Sequence, residues 1–242
     1  MYSRVLNSIQ NVNRRYSTAS ISSIFADARS AEFLAAAASK ESLPALGHRP
    51  PEIIVTGRAN VGKSTLLNAV LGRKALLHTS KKAGRTKTLN FYRVGPHPGK
   101  AVLVDAPGYG QRGRPEWGAV FEHYIAEREE LKRIYVLING SHGLKESDRM
   151  MLAHLNEQCV KALAANRHVT LQAVFTKCDL LRGNAQTILL QMQQDIIECA
   201  PNCLPGIVTA VSNDSRIGID KVRHSIVEAC GLGRITATVQ QA

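Results

Sequence analysis

Residues 57–64 read G-R-A-N-V-G-K-S and directly follow the apolar run Ile53-Ile54-Val55. They complete the pattern G-x-x-x-x-G-K-[ST]. The setting also suits it, with a strand before and the helix-forming run Thr65-Leu66-Leu67-Asn68-Ala69-Val70-Leu71 after. No other stretch constrains the fold so strongly, because such a loop works only where a strand feeds a helix N-terminus. Gly57 and Gly62 let the backbone wrap around phosphates. The N–H groups of Arg58, Ala59, Asn60, Val61, Gly62, Lys63, Ser64 and Thr65 then form an anion nest at the positive end of the helix dipole. Lys63 is expected to reach the β- and γ-phosphates, and Ser64 to ligate Mg²⁺. A chance glycine turn with a surface lysine is the alternative; eight matched positions in strand–loop–helix context argue against it.

Downstream, short apolar runs alternate with helical ones to about residue 232, the pattern of a doubly wound α/β sheet. Strands are predicted at Ile53–Thr56, Leu89–Val94, Val102–Asp105, Ile134–Ile138, Thr170–Thr176 and Ile207–Val211. Helices are predicted at Lys63–Arg73, Trp117–Leu131, Glu146–Leu163, Thr187–Glu198 and Ile219–Ala229. The expected architecture over residues 49–232 is a three-layer α/β P-loop NTPase of the small-GTPase kind, with a mainly parallel six-stranded sheet. Its Leu89 strand follows a long polar loop and is free to run antiparallel at the sheet edge. Upstream, residues 27–44 read as an alanine-rich helix within an N-terminal extension, 27–48, and Gly47-His48-Arg49-Pro50-Pro51 breaks it. Residues 233–242 are expected to be a short flexible tail.

A phosphate loop alone does not choose between adenine and guanine. Val102-Leu103-Val104 runs into Asp105-Ala106-Pro107-Gly108. There the aspartate can hold Mg²⁺ through a water, and the Gly108 N–H can meet a γ-phosphate with no side chain in the way. Thr176-Lys177-Cys178-Asp179 ends another strand. The Asp179 carboxylate can accept from guanine N1–H and the exocyclic amine, a donor pair adenine lacks, and the Lys177 stem can cover the base. Val211-Ser212-Asn213 ends the last strand and offers a backbone N–H to guanine O6. Each motif is weak alone. Together they fall at strand C-termini along one sheet edge, where ligands bind in open α/β sheets. Between the first two, Gly84-Arg85 gives a mobile approach to Thr86, whose hydroxyl can close over Mg²⁺ and whose N–H can sense the γ-phosphate. Loss of that phosphate would release this loop and residues 108–114 together.

The formal charge of +12 on 242 residues points to a polyanionic partner, RNA or an anionic membrane surface. Residues 1–26 hold Arg4, Arg14 and Arg15 but no acid, and Val5, Leu6, Ile9 and Val12 share one helical face. Arg-rich, Ser-rich and acid-poor describes a mitochondrial transit peptide, and Arg14-Arg15-Tyr16-Ser17 resembles a matrix-protease cleavage pattern. The other reading is a basic tail that touches RNA directly. A cut after Tyr16 removes three positive charges and leaves about +9, so the body is basic in its own right. No run approaches the length of a membrane span. Cys159, Cys178, Cys199, Cys203 and Cys230 match neither a disulfide framework nor a zinc knuckle, so reduced thiols are expected.

Gly57–Leu67 (GRANVGKSTLL), Gly84–Thr86 with Asn90-Phe91 (GRT…NF), Asp105–Gly110 (DAPGYG), Thr176–Asp179 (TKCD) and Val211–Asn213 together resemble the EngB/YihA-type GTPases. These belong to the TrmE-Era-EngA-EngB-like P-loop GTPases. The resemblance spans about residues 45–232, and GRT…NF and PGYG are its distinctive parts. It implies a GTP-binding, GTP-hydrolysing, Mg²⁺-dependent switch, monomeric, that assists assembly of the large ribosomal subunit. With the presequence it implies a matrix protein serving the mitochondrial ribosome and its rRNA. Two departures stand out. Thr176 replaces the usual Asn of the base motif, a change this family commonly shows, and slightly weakens the base contact. Gly140-Ser141-His142-Gly143-Leu144-Lys145 lacks the family's more acidic approach to the next helix.

Tyr109 stands where many small GTPases carry a water-orienting Gln, and a phenol cannot orient water as an amide does. The resemblance therefore implies slow hydrolysis by the isolated chain. In related loops an Asn at the position of Asn60 coordinates K⁺, which then does the work of an arginine finger; otherwise Asn60 only braces the loop. Lys63, Thr86 and Asn60 are the candidate catalytic residues. Arg73, Lys74, Lys81, Lys82, Arg85, Lys87, Arg112 and Arg114, with Trp117 nearby, flank the switches and can couple nucleotide state to RNA affinity. A near-inert GTP-bound placeholder uses the same pocket and stays open as an alternative. A metabolic ATPase or kinase would need a second substrate lid, and no extra domain is long enough for one.

Overall fold

Strands with unbroken apolar runs need cover on both faces. Ile53-Ile54-Val55, Val102-Leu103-Val104 and Ile134-Tyr135-Val136-Leu137-Ile138 are such runs, and all of their residues are buried. The computed structural model describes residues 24–25, 31–73, 76–77, 88–109, 118–212 and 216–233. Its strands are β1 (Ala31–Ala37), β2 (Glu52–Gly57), β3 (Leu89–Val94), β4 (Ala101–Asp105), β5 (Leu131–Asn139), β6 (Thr170–Thr176) and β7 (Cys203–Val208), followed by the short β8 (Ala210–Val211) and β9 (Arg216–Ile217). The helices are α1 (Lys63–Val70), α2 (Ala119–Glu127), α3 (Glu146–Ala164), α4 (Ala185–Cys199) and α5 (Ile219–Ala229).

The main sheet has seven strands in the order β1-β3-β4-β2-β5-β6-β7. Pairing is parallel from β4 through β7, and β3 runs against both of its neighbours. One face, with Ile54, Val104, Val136 and Phe175, packs under α2, α3 and α4, and the other, with Ile53, Val55, Leu103 and Tyr135, under α1 and α5. This is the expected three-layer α/β fold.

Two expectations are corrected. The alanine-rich stretch read as a helix is the strand β1, which adds a seventh strand to the predicted six. It pairs antiparallel with β3 from Ala31 opposite Val94 to Ala37 opposite Leu89. Glu32 meets Arg93 at 2.8 Å, and the Phe33 ring stands edge-on to Tyr92. Alanine's helical preference is below about 1 kcal/mol per residue, and a ladder of hydrogen bonds plus cross-strand contacts outweighs it. Second, β3 is antiparallel as expected but interior, because β1 covers its outer edge. The stretch 207–211 also divides, Thr209 separating β7 from the β8–β9 ribbon.

Central β2 is flanked by β4 and β5, so the strand order reverses at the phosphate loop. In open α/β sheets that is where a ligand crevice forms. Register brings the other motifs to the same edge, with Val55 opposite Asp105, Gly57 opposite Leu137, and Asn139 opposite Thr176.

Candidate nucleotide-binding site

The loop after β2 turns on two residues with positive φ, Asn60 at 62° and Gly62 at 98°. Gly62 is the N-cap of α1, so Lys63, Ser64 and Thr65 open the helix with their N–H groups unbonded within it. At Gly57 a Cβ would lie 2.9 Å from both Leu137 Cβ and Val61 Cγ1, which demands glycine. The backbones of Arg58, Ala59, Asn60 and Val61 thus line a tight cradle.

Lys63 Nζ pairs with Asp105 Oδ1, which joins the phosphate loop to the end of β4. Ala106 N–H donates to Val55 O at 3.0 Å, and Thr56 Oγ1 to Pro107 O at 3.3 Å. Gly108 follows, pressed on the loop: a Cβ there would sit 3.2 Å from Gly57 O and 3.4 Å from Ala59 N. The lysine, the aspartate and the Gly108 main chain surround one place. Among the described residues no three His, Cys, Asp or Glu side chains form a metal cage. One carboxylate and one serine hydroxyl are oxygen donors that fit Mg²⁺, and the nest of N–H groups fits the phosphates that would carry it in.

Thr176 of the base motif reaches the phosphate loop. Its hydroxyl is buried and donates to Val61 O at 2.7 Å, with Ile138 O at 3.3 Å. It therefore braces the phosphate loop against β6. Lys177 adopts the left-handed conformation (φ 54°) and sends Nζ to Asn60 O at 2.9 Å, so its stem crosses the loop. A pocket of about 70 Å³ lies here, lined by Gly62, Thr65, Leu66, Thr176, Lys177, Thr209 and Val211. Asp179 lines a separate, larger cleft with Gly140, Ser141, His142 and Arg182. Cys178 is half-buried, and burial pushes its thiol up to about 11. Gly84, Arg85, Thr86 and Asn213 lie outside the described residues, as do all of the basic cluster except Arg73, together with Trp117.

Two side chains of these loops converge on Asp148. Arg58 sends Nε to Asp148 Oδ1 at 2.9 Å, and the Tyr109 hydroxyl donates to the same oxygen at 3.0 Å. Burial, with Asp148 beside it, holds the Tyr109 phenol well above its ordinary pKa, so it stays protonated. Asp148 was not among the residues singled out in the sequence. Its signal was an acid three residues after Lys145, at a helix start, where it accepts the Lys145 N–H.

A family model described as "50S ribosome-binding GTPase" matches residues 52–171. The "Probable GTP-binding protein EngB" of Rhizobium johnstonii is 33% identical over 207 residues, 79% of this chain and 91% of the relative. Its namesake from Sinorhizobium fredii is 35% identical over 208 residues, 81% of this chain and 90% of the relative. The fold resembles that of Era crystallised with MgGDPNP and nucleotides 1506–1542 of 16S ribosomal RNA (TM-score 0.52, 24% identity, 74% of this chain and 56% of that one). It also resembles a GTP-binding protein of Sulfolobus solfataricus in complex with GDP (TM-score 0.51, 18% identity, 75% of this chain and 52% of that one). With a phosphate loop, an aspartate and a base motif on one sheet edge, and relatives matched over most of their length, this chain belongs to the EngB family of GTPases.

Proposed function

We propose that this GTPase is a switch for assembly of the large subunit of the mitochondrial ribosome, binding rRNA in a nucleotide-dependent way. The observation that carries the nucleotide half is the Lys63–Asp105 pair at the mouth of the phosphate loop. Lysine and aspartate face one another where a triphosphate and its metal must sit. On binding, Lys63 turns to the β- and γ-phosphates, and Asp105 is freed to act through water. Ser64, Thr86 and, through a water, Asp105 would hold Mg²⁺, which would neutralise phosphate charge. Gly108 presents its N–H to the γ-phosphate, Lys177 covers guanine and Asp179 reads its edge. The Ser212–Asn213 backbone meets O6. Asn60 would hold K⁺ beside the phosphates, and that ion would supply the charge stabilisation that a buried Tyr109 cannot.

The ribosomal half rests on the family description, on the basic charge and on the rRNA in the Era crystal. The matrix address rests on residues 1–26. Ile24 and Phe25 of that stretch are buried against the α1–α5 face, and Arg223 stacks on Phe25 at 5.3 Å. A cut after Tyr16 keeps them, so processing there leaves the core whole. Sedimentation of the tagged chain with mitochondrial large subunits tests the proposal. Co-migration should be strong with a non-hydrolysable GTP analogue and weak with GDP. Equal migration in both states, or none, would overturn it.

A further inference from the structure

Asp148, in the first turn of α3, is fully buried and takes three donors. Its Oδ2 accepts the Lys145 N–H at 2.9 Å. Its Oδ1 accepts Arg58 Nε at 2.9 Å and the Tyr109 hydroxyl at 3.0 Å. One carboxylate thus ties a helix start to both loops that face the phosphates. Backbone contacts repeat the link. Tyr109 N–H donates to Gly57 O at 3.2 Å, and Arg58 and Tyr109 form a parallel bridge. Between these anchors sits Gly108, packed on Gly57 and Ala59.

We propose that Asp148 is a positioning residue that, through Tyr109 and Arg58, holds the Gly108 N–H beside the phosphate loop and so sets how strongly the site prefers a γ-phosphate. The proposal rests on the assignment of Gly108 to the γ-phosphate made above. GDP has no group at that position, so its affinity does not depend on where Gly108 is held. A triphosphate gains the contact in full only if the N–H is already in place. Without the clamp, part of the binding free energy goes into ordering residues 107–109. Tyr109 then acts as an anchor.

Calorimetry on the full chain with Mg²⁺ compares GDPNP with GDP for wild type, Tyr109→Phe and Asp148→Asn. Tyr109→Phe keeps the ring in the core and removes only the hydroxyl. GDPNP affinity should fall about fivefold, the worth of one hydrogen bond, while GDP affinity stays within about twofold. Asp148→Asn should shift the ratio further in the same direction, because Arg58 also loses its charged partner. In steady-state hydrolysis the loss should fall on KM and leave kcat nearly unchanged. Equal weakening of both nucleotides, or an unchanged ratio in Tyr109→Phe, overturns the proposal and leaves Asp148 a packing residue. Wild type that binds neither nucleotide removes the nucleotide reading itself, and this proposal with it.

Discussion

Thr176 occupies the place where the base motif usually has Asn, and its hydroxyl is spent on Val61 O and Ile138 O. The residue type pointed to the base motif, and the neighbours add that the hydroxyl braces the loop. Asn60 was equally ambiguous. It is exposed, tolerates its positive φ of 62° as Asn does, and its carbonyl accepts Lys177 Nζ. Its side chain is the proposed K⁺ contact. Hydrolysis should run at least about tenfold faster in KCl than in NaCl, given that a missing arginine finger is worth 10³–10⁵. Asn60→Ala should abolish the difference. Equal rates in the two salts with wild type would sink the K⁺ assignment. All five cysteines are free in the structure, and burial pushes Cys203 and Cys230 up to about 12.

Elements were legible where one periodicity dominated and failed where two forces competed. The strands β2, β4, β5 and β6 carried long apolar runs and appeared nearly as expected. The stretch 31–37 did not, because four of its seven residues are Ala, whose local preference is helical, and only the free edge of β3 decided its state. α2 also ended earlier than predicted, at Glu127, where Arg167 Nη1 meets Arg128 O at 3.1 Å and Leu131 already starts β5. α2 is further clasped to α3 by His154 Nε2 and Glu122 Oε2 at 3.0 Å. The Glu122 hydrogen bond raises His154 above its ordinary 6.5 against the effect of burial, with Glu157 adding and Lys161 opposing. A raised folded-state pKa means the clasp is fully present below pH 6.5 and fades as pH rises through the folded value. Melting at pH 6 should therefore exceed melting of His154→Gln by about 0.5–1 kcal/mol, and the gap should close near pH 8.5. A gap independent of pH would mean that the contribution is packing, not charge.

At the scale of the molecule, the +12 charge favours a polyanionic partner, and the proposed one is rRNA. Each neutralised phosphate contributes roughly one unit to the log–log slope. Affinity of the GTP-analogue form for large-subunit rRNA should thus fall at least about tenfold between 50 and 200 mM salt. Affinity that ignores salt, or that is missing in the GTP-analogue form, would exclude an electrostatic rRNA interface. The sequence by itself determined the phosphate loop, the layered α/β class and the order of the nucleotide motifs. These are local patterns, because a strand–glycine–helix transition and an apolar run are each complete within a dozen residues. Only the tertiary structure decided that β1 closes the sheet, that Thr176 serves the loop, and that Tyr109 and Arg58 meet on Asp148. Those outcomes depend on which hydrogen-bonding partners are left over once distant segments have packed, and residues 90 positions apart carry no mark of each other until then.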